Sequence, residues 1–522
     1  MPTPPLADGH ASSSAGSWLG PARRRAHLRT GCPLEARTNT GCRLWLRARG
    51  SRGPAVWLPF DAAGQIGWHP GHTGLWTLDL GVETAPGRVA LIPGQTLEAI
   101  AEHPDFAAMR AYTLIPRVSG PLSGWPALLP EIKRMGFNAI WLLPISRMGA
   151  SLSPYSTSDP LAVDPAIGTW DEAEAFADAC AAHGIALGVD LVFNHLAPDG
   201  ELARQHPEWF ATDGAAGDGL ARSGWSDGST FYPWQDLVRL RDRHQAPADR
   251  LDLLDYWTNY ALRWVALAAR SGRPMMRLDN AHSTSETLLD HLLPVLRRAH
   301  PDLSVLGEYF ETRAGGAEAW VWRHGIERLL ATPWMDPYAS QKRRLLGFLD
   351  AMAATTASRH FVPLCSHDSP SAVAAYGGPQ ALIARYTAIA FFGGGCTGMV
   401  QGSEWATPEK IAFIGPPGTY PRGPSMHEDI RCIHAILARE GPLDTPATRW
   451  LDAEHGAVVC GLRQGLNGML LVAANFDTQA SHRLDIPRET GARWSEAFAH
   501  GAELRDNELL LAPGGAGVWK LA

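Results

Sequence analysis

Three acidic residues stand at or just beyond the ends of apolar segments, in a fixed order along the chain. Asp279 lies in MRLDNAHS, Glu308 in VLGEYF and Asp368 in CSHDSP. Apolar and β-branched runs of this kind predict buried strands, and the catalytic groups of α/β barrels lie at the C-terminal ends of such strands. Because pairs of carboxylic acids break glycosidic bonds, the pattern predicts a glycoside-processing site.

Arg277 and Asp279 lie two residues apart on one predicted strand, so both side chains point to the same face. An arginine beside a carboxylate favours the ionised form and lowers its pKa, which suits a nucleophile that attacks an anomeric carbon. Glu308 closes the next predicted strand and follows the apolar Val305 and Leu306. We expect these surroundings to raise the pKa of the glutamate, as a general acid requires.

Two histidines are predicted at the same rim as the acids. The segment GVDLVFNH ends in Asn194 and His195, and His367 directly precedes Asp368. A single histidine is more often a satisfied polar group than a functional one. At this rim, however, neutral imidazoles would hydrogen-bond sugar hydroxyls. The chain has no HxxxH or HExxH motif, so the pattern does not indicate a zinc site.

The composition is that of a globular protein. The chain has 522 residues, of which 45% are hydrophobic and 19% charged, and this length predicts two or three domains. The net charge of −7 gives no reason to expect a nucleic-acid partner. The seven cysteines form no CxxC pair, and the N-terminal segment lacks the apolar core of a signal peptide. No apolar run reaches the roughly 18 residues that cross a bilayer. We therefore expect a cytoplasmic protein with no membrane partner; its oligomeric state stays open.

The character of the sequence changes along the chain and divides it into four regions. Residues 1–28 are predicted to be a disordered tail, and 29–105 an N-terminal β domain or extension. Strand-like runs that alternate with Ala-rich helical stretches predict an α/β fold, a (β/α)8 TIM barrel over 106–440, with an insertion after strand 3 at 196–252. Residues 441–522 predict an antiparallel β-sandwich. The predicted barrel strands are 111–116, 137–144, 186–194, 275–281, 303–309, 328–333, 360–367 and 398–404.

In these motifs the chain resembles the alpha-amylase superfamily, glycoside hydrolase family 13. The family motif D-x-V-x-N-H on strand 3 is matched at every fixed position by residues 190–195, and R-x-D on strand 4 by residues 277–279. Glu308 stands where the family has its strand 5 glutamate, and residues 367–368 match the H-D pair after strand 7. The resemblance covers the barrel, about residues 110–440.

The resemblance implies a role for each acid. Asp279 would be the nucleophile, Glu308 the acid/base and Asp368 the stabiliser of the transition state. Tyr155, in SPYSTSDPLAVDPAIGT, is similar to the ring that stacks on the sugar at the cleavage point. The substrate-binding residues implied by the family are Tyr155, Asp190, Asn194, His195, Arg277, His282 and His367.

The residues after the nucleophile depart from ordinary amylases. Most amylases carry a Lys-His pair at the third and fourth positions after it, where this chain has His282 and Ser283. The string RLDNAHST is similar instead to the transferase half of eukaryotic glycogen-debranching enzymes. This similarity favours α-glucan transfer, in which Trp225 and Trp234 of the insertion are candidates to stack on an acceptor sugar.

The sequence thus predicts a retaining enzyme that cleaves α-1,4-glucosidic bonds through a covalent glycosyl-enzyme, with an α-glucan or maltooligosaccharide as substrate. One alternative is a dedicated 4-α-glucanotransferase, and another is a non-catalytic glucan-binding member of the family. No cofactor is predicted. A structural calcium stays open, because many amylases bind one through the asparagine equivalent to Asn194. The insertion offers the aspartates Asp199, Asp213, Asp218 and Asp227, without a compact DxDxD run.

Overall fold

The computed structural model of the protein describes most of the chain. Its described residues are 16–19, 25–29, 33–38, 42–50, 54–86, 88–226, 229–241, 247–309, 316–331, 359–441, 443, 449–451, 456–486 and 493–521.

The N-terminal region is built from β-strands. One sheet has the order β2-β8-β7-β4-β5 and a second has the order β1-β3-β6. Alternate residues of β4 and β7, such as Leu46, Leu78 and Leu80, are fully buried in a core of their own, as the period of two in a strand requires. The strands are β1 (Gly16–Leu19), β2 (Arg25–Arg29), β3 (Pro33–Thr38), β4 (Leu44–Gly50), β5 (Val56–Pro59), β6 (Gln65–Gly67), β7 (Gly74–Ala85) and β8 (Arg88–Glu102).

Two segments of the tail that was predicted to be disordered are strands. Gly16–Leu19 pairs with β3, and Arg25–Arg29 pairs in parallel with the end of β8. Leu28 packs against the N-terminal core, and Arg25 forms an ion pair of 2.8 Å with Glu98 across the strands. Composition suggested disorder because it does not reveal such long-range pairing. The rest of 1–28 lies outside the described residues.

Eight parallel strands of the central region close into a barrel in the order β9, β10, β13, β17, β18, β19, β20, β21 and back to β9. Each overlaps a strand predicted from the sequence, so the predicted TIM barrel is confirmed. The strands of this region are β9 (Arg110–Leu114), β10 (Ala139–Leu142), β11 (Ser146–Met148), β12 (Thr157–Val163), β13 (Ala186–Leu191), β14 (His195–Leu196), β15 (Arg222–Ser226), β16 (Phe231–Arg239), β17 (Pro274–Leu278), β18 (Ser304–Gly307), β19 (Arg328–Leu330), β20 (Arg359–Pro363) and β21 (Thr397–Val400).

Helices connect the barrel strands and cover their outer faces. One of them, Trp170–Ala182, begins at a capping box in which Thr169 and Glu172 satisfy each other's backbone N–H groups. Among the described residues, no helix is long and apolar enough to cross a membrane. The helices are α1 (Pro104–Ala107), α2 (Leu129–Arg134), α3 (Trp170–Ala182), α4 (Glu201–Gln205), α5 (Pro247–Ala269), α6 (Glu286–Ala299), α7 (Gly316–His324), α8 (Ala372–Tyr376), α9 (Leu382–Phe392) and α10 (His427–Glu440).

The insertion after the third barrel strand is a small sheet of order β14-β16-β15 with the short helix α4. It begins at His195, close to the predicted position. It ends earlier than predicted, because α5 already starts at Pro247 and its Trp257 and Val265 are buried in the barrel core.

The C-terminal region is antiparallel β-structure, as predicted, and forms a six-stranded sheet. Both faces of its strand Gly468–Asn475 are buried. Leu470 and Val472 join the barrel core, whereas Leu471 and Ala473 join a separate C-terminal core. The strands are β22 (Arg449–Trp450), β23 (Val458–Gly465), β24 (Gly468–Asn475), β25 (His482–Asp485), β26 (Trp494–Arg505) and β27 (Glu508–Leu521).

Candidate active site

The predicted acids meet at the C-terminal mouth of the barrel. Asp279 and Glu308 directly follow β17 and β18, and Asp190 lies near the end of β13. Asp368 lies in the loop after β20. In a parallel barrel these strand ends share one rim, so four carboxylates from separate segments converge there.

Arg277 is the centre of this cluster. Its Nη1 lies 2.9 and 2.8 Å from the two carboxylate oxygens of Asp190 and 2.8 Å from Oδ1 of Asp279. Its Nη2 forms an ion pair with Oε1 of Glu308. The arginine side chain is only 2% exposed. One buried guanidinium therefore bridges three carboxylates and fixes their relative positions.

The barrel register explains this arrangement. Asp190 of β13 is the direct neighbour of Arg277 across the parallel pair, so both side chains point into the barrel. The backbone N–H of Asp279 donates to the carbonyl of Leu191 at 3.0 Å, and that of Glu308 donates to Leu278 at 3.1 Å. These bonds continue the strand pairing one residue beyond β17 and β18, which holds both acids on rigid backbone.

Asn280 follows the nucleophile candidate with a φ of 45°, a left-handed conformation that asparagine tolerates better than most residues. Its backbone N–H donates to Oε2 of Glu308 at 2.8 Å, and its carbonyl accepts from Nδ2 of Asn194 at 3.1 Å. The turn at Asn280 thus connects the third, fourth and fifth barrel strands. It also orients the second oxygen of Glu308.

Aromatic rings form one wall of the site. The hydroxyl of Tyr155 lies 2.9 Å from Oδ2 of Asp190 and 2.8 Å from Nε2 of His367. The rings of Tyr155 and His367 stack with centroids 5.4 Å apart, and Trp141 donates from Nε1 to Asp190 at 3.1 Å. Arg277 lies over the Trp141 ring, 5.0 Å from its centroid. The wall therefore combines a flat apolar surface with a fixed row of polar groups.

Asp368 is the most exposed of the three predicted catalytic acids, with 40% of its side chain accessible, whereas the side chain of Asp279 is 10% and that of Glu308 6% exposed. Its carboxylate lies 3.1 Å from Nε2 of His367. Its backbone carbonyl accepts from Nζ of Lys410 at 2.8 Å, and its N–H donates to the hydroxyl of Ser366 at 3.1 Å. Lys410 thus connects the loop after the eighth strand to the acid after the seventh.

The pKa shift of Asp279 differs in direction from the one predicted from its arginine neighbour. Burial raises the pKa of Asp279 well above its usual value, and Arg277 opposes that effect without reversing it. The charge of Glu308 adds to the rise. Burial likewise raises the pKa of Asp190 to about 6. Burial acts to lower the pKa of Arg277, but the charges of Asp190 and Glu308 outweigh it and keep the guanidinium protonated.

The surroundings predicted for Glu308 are also wrong. The neighbouring Val305 and Leu306 are buried in the barrel core, but the carboxylate itself meets Arg277 and the N–H of Asn280. Because side chains alternate along a strand, sequence neighbours do not define what a strand-end carboxylate faces.

The predicted substrate-binding residues fall into two groups. The first group lies within the acid cluster or against it and comprises Tyr155, Asp190, Asn194, Arg277 and His367. The second group comprises His195 and His282. His195 is buried at the start of β14, in the sheet of the insertion. His282 is exposed in the turn after Asp279, where its ring contacts that of Tyr309.

Both rim histidines are neutral near pH 7, as the interpretation of the sequence requires. Burial lowers the pKa of His195 to about 3. Burial, together with the charge of Arg277, also lowers the pKa of His367 well below its usual value.

Two residues of the site, Trp141 and Lys410, were not predicted from the sequence. Trp141 lies in the predicted second strand, but nothing in the sequence marks which residues of that strand face the mouth. Lys410 lies in a loop whose path cannot be predicted.

The three described aspartates that were considered as calcium ligands contact separate partners. Asp199 accepts from the backbone N–H of Ala150 at 2.9 Å, Asp213 from that of Ala215 at 2.9 Å, and Asp218 pairs with Arg222 at 2.7 Å. Asp227 lies outside the described residues. Across the described ranges, no group of three or more His, Cys, Asp or Glu side chains is arranged to hold a metal ion. These residues do not fit a calcium site around Asn194, and we assign calcium no role in the chemistry.

Comparisons with known proteins agree with this architecture. A family model described as the glucanotransferase domain of glycogen debranching enzyme matches residues 104–212. An alpha-1,4-glucan:maltose-1-phosphate maltosyltransferase of Rhodospirillum rubrum is 26% identical over 45% of this chain and 39% of that protein. A cyclomaltodextrinase of a Bacillus species is 24% identical over 40% of this chain and 35% of that protein. The chain therefore spans well under half the length of these relatives.

The fold has close counterparts among solved structures. An alpha-amylase from Lactobacillus plantarum superposes with a TM-score of 0.65 over 80% of this chain and 100% of that chain, at 19% identity. A trehalose-6-phosphate hydrolase from Bacillus licheniformis gives a TM-score of 0.64 over 80% of this chain and 100% of that chain, at 14% identity. At these identities the likeness shows the fold alone. The sequence matches and the fold together agree with the resemblance of the chain to the alpha-amylase superfamily.

Proposed function

We propose that the protein is a retaining α-glucan-active enzyme that cleaves α-1,4-glucosidic bonds through a covalent glycosyl-enzyme. The observation that carries the proposal is the bridging of Asp279 and Glu308 by the single guanidinium of Arg277. Both carboxylates contact the same guanidinium, and this closeness is compatible with the roughly 5–5.5 Å that separates the carboxyl groups of retaining pairs. Inverting pairs are about 6.5–9.5 Å apart, to leave room for a water molecule.

In the first step, a carboxylate oxygen of Asp279 attacks the anomeric carbon while Glu308 gives its proton to the departing glycosidic oxygen. The bond between the anomeric carbon and the leaving sugar breaks as the ester to Asp279 forms. In the second step, Glu308 takes a proton from water or from a sugar hydroxyl, which then displaces Asp279. Asp368 and Tyr155 would hold the sugar ring between them at the mouth.

Transfer to a sugar is the outcome that the debranching-enzyme match favours. A dedicated 4-α-glucanotransferase therefore remains the alternative, and the two activities differ only in the acceptor of the second step. The maltosyltransferase relatives also suggest a donor with phosphate at the anomeric carbon, because their name contains maltose 1-phosphate. A cytoplasmic location remains part of the proposal.

Incubation with maltoheptaose, followed by chromatography of the products, tests this function. Sugars shorter than the substrate indicate hydrolysis, whereas longer and shorter sugars together indicate transfer, whose share should rise with acceptor concentration. A parallel incubation of maltose 1-phosphate with glycogen tests the phosphate donor. Asp279→Ala is the control and should be inactive in each reaction. If the wild-type protein turns over none of these substrates, the catalytic proposal is wrong and the non-catalytic alternative gains support.

A further inference from the structure

The hairpin of β15 and β16 in the insertion exposes large aromatic side chains. Trp225 and Phe231 are each 51% exposed, Tyr232 is 41% and Trp234 is 38% exposed. Scattered single apolar residues are ordinary on a protein surface, but a contiguous group of rings marks a binding surface. The exposed rings therefore make this hairpin a candidate binding surface.

Two of the rings stack on one face of the hairpin, and a third follows on the same strand. Trp225 pairs directly with Tyr232 across the strands, and their rings stack with centroids 4.6 Å apart and an interplanar angle of 16°. Trp234 stands two residues after Tyr232 on β16 and is exposed as well, at the point where the pairing of the two strands becomes irregular. We call Trp225, Tyr232 and Trp234 the aromatic row.

Phe231 belongs to the opposite face and packs over Gly224. A Cβ atom at Gly224 would lie 2.7 Å from the Phe231 ring and 2.2 Å from the carbonyl oxygen of Tyr232. Glycine is therefore required here for the strands to approach, and the register shift of the hairpin falls between Arg222 and Gly224. Because side chains alternate along a strand, Phe231 faces the opposite side of the hairpin from Tyr232.

The aromatic row leads towards the active site. The carbonyl of Asp236, further along β16, accepts from the hydroxyl of Ser156 at 2.7 Å, next to Tyr155. With a rise of about 3.3 Å per residue, Trp234 lies about 7 Å and Tyr232 about 13 Å along the strand from that contact. The far end of β16 is held by the bond of 2.9 Å from the N–H of Leu240 to the carbonyl of Asn194.

We propose that the aromatic row binds a segment of an α-1,4-glucan chain that extends out of the catalytic centre. The inference rests on the proposed function and adds a second region of contact to it. Glucose rings present apolar C–H faces that stack on flat aromatic rings. The row lies along a strand that contacts Ser156, next to Tyr155, and this placement fits an extended chain that leaves the catalytic centre. Tryptophan and tyrosine have only two side-chain torsions, so they lose little conformational entropy when a sugar docks.

The size of the row argues against a stable protein partner. A large aromatic side chain buries about 150–250 Å² when fully covered, and these three rings are about half exposed, so they offer on the order of 300 Å². A stable protein interface needs about 800 Å² per partner. A glucan chain needs no such area, because it is also held at the catalytic centre.

The test measures binding without turnover. The full-length Asp279→Ala protein is run in native gels with and without glycogen and titrated with maltoheptaose by tryptophan fluorescence and calorimetry. Trp234→Ala and Trp225→Ala are added to this background singly, and Phe231→Ala is the matched control on the back of the hairpin. We expect each substitution in the row to weaken glycogen binding by about two- to tenfold, the range for one aromatic contact. Phe231→Ala should leave binding unchanged, and thermal unfolding confirms that every variant is folded.

The outcomes separate this inference from the proposed function. If the wild-type protein turns over glucans but substitutions in the row leave glycogen binding and the KM for long glucans unchanged, the inference is wrong. If the row variants weaken binding although the wild-type protein shows no turnover, the inference stands and the catalytic proposal fails. If the same substitutions change the sedimentation of the protein rather than its affinity for glycogen, the row is a protein interface and the inference is overturned.

Discussion

Arg277 is the residue whose removal tests the site most directly. It is almost fully buried, and its guanidinium holds Asp190, Asp279 and Glu308 together. We predict that Arg277→Met abolishes activity and destabilises the folded protein by about 3–5 kcal/mol near neutral pH, because it leaves buried carboxylates without their counter-charge. The methionine keeps most of the side-chain volume, so cavity formation contributes little.

The loss of unfolding free energy in Arg277→Met should depend on pH, and the pKa shifts give the direction of this dependence. The folded-state pKa of Asp190 is already raised to about 6, and that of Asp279 is raised as well. Loss of the guanidinium raises both further, so the folded variant holds more protons than the unfolded chain. Stability of the variant is then greatest below the unfolded-state pKa and falls as pH rises through the folded-state values. For each additional proton that the folded variant binds, the loss of unfolding free energy should shrink by about 1.4 kcal/mol for every unit by which the pH is lowered.

Urea unfolding of wild type and variant at pH 5 and at pH 7.5 measures this effect. Arg328→Met is the matched control, because Arg328 is also buried but pairs with Glu102, at the junction of β19 with the N-terminal sheet. The control should lose stability yet keep its turnover per folded molecule. A deficit for Arg277→Met below about 1 kcal/mol, or one that grows on acidification, would refute the reasoning.

Three further predictions concern the individual acids. Asp279→Ala should remove turnover on maltooligosaccharides while its urea midpoint stays at or above that of wild type; retention of more than a few per cent of the rate would exclude it as nucleophile. Glu308→Gln should slow maltooligosaccharide cleavage far more than cleavage of a glycosyl fluoride, because a good leaving group departs without a proton; equal losses would contradict the acid role. Burial raises the pKa of Asp368, and the charges of Arg277 and Lys410 oppose that rise, so Lys410→Met should move the acidic limb of the pH–rate profile upwards. Lys410→Arg should restore the profile, whereas a uniform loss at every pH would limit the lysine to a structural role.

The barrel could be predicted from the sequence because parallel strands buried on both faces are nearly continuous apolar runs. Strands such as Ala139–Leu142 and Thr397–Val400 are fully buried along their length. The acids could be located for the same reason, since Asp279 and Glu308 are the first residues beyond such runs. The strands Gly16–Leu19 and Arg25–Arg29 could not be predicted in this way, because they form only by pairing with β3 and β8.

The contacts among the acids could not be predicted, although the acids themselves could. Asp190 and Arg277 belong to different strands, and their pairing depends on a register that the sequence does not state. A slip of one residue would have turned one of the two side chains away from the barrel interior. The same limit applies to Lys410, whose position beside Asp368 depends on the path of a long loop. Sequence order thus identifies the functional groups, while register and loop path decide which of them touch.

The electrostatic surroundings of the three acids differ from those that the sequence predicts. The sequence suggested an apolar pocket around Glu308, but the structure instead encloses three carboxyl groups around one guanidinium. Asp190, Asp279 and Glu308 would carry three negative charges against the single positive charge of Arg277. Burial makes such an excess costly, and it raises the pKa values of Asp190 and Asp279. The pKa values of such coupled carboxyl groups belong to the cluster rather than to one residue, and Arg277 is the group that all three share.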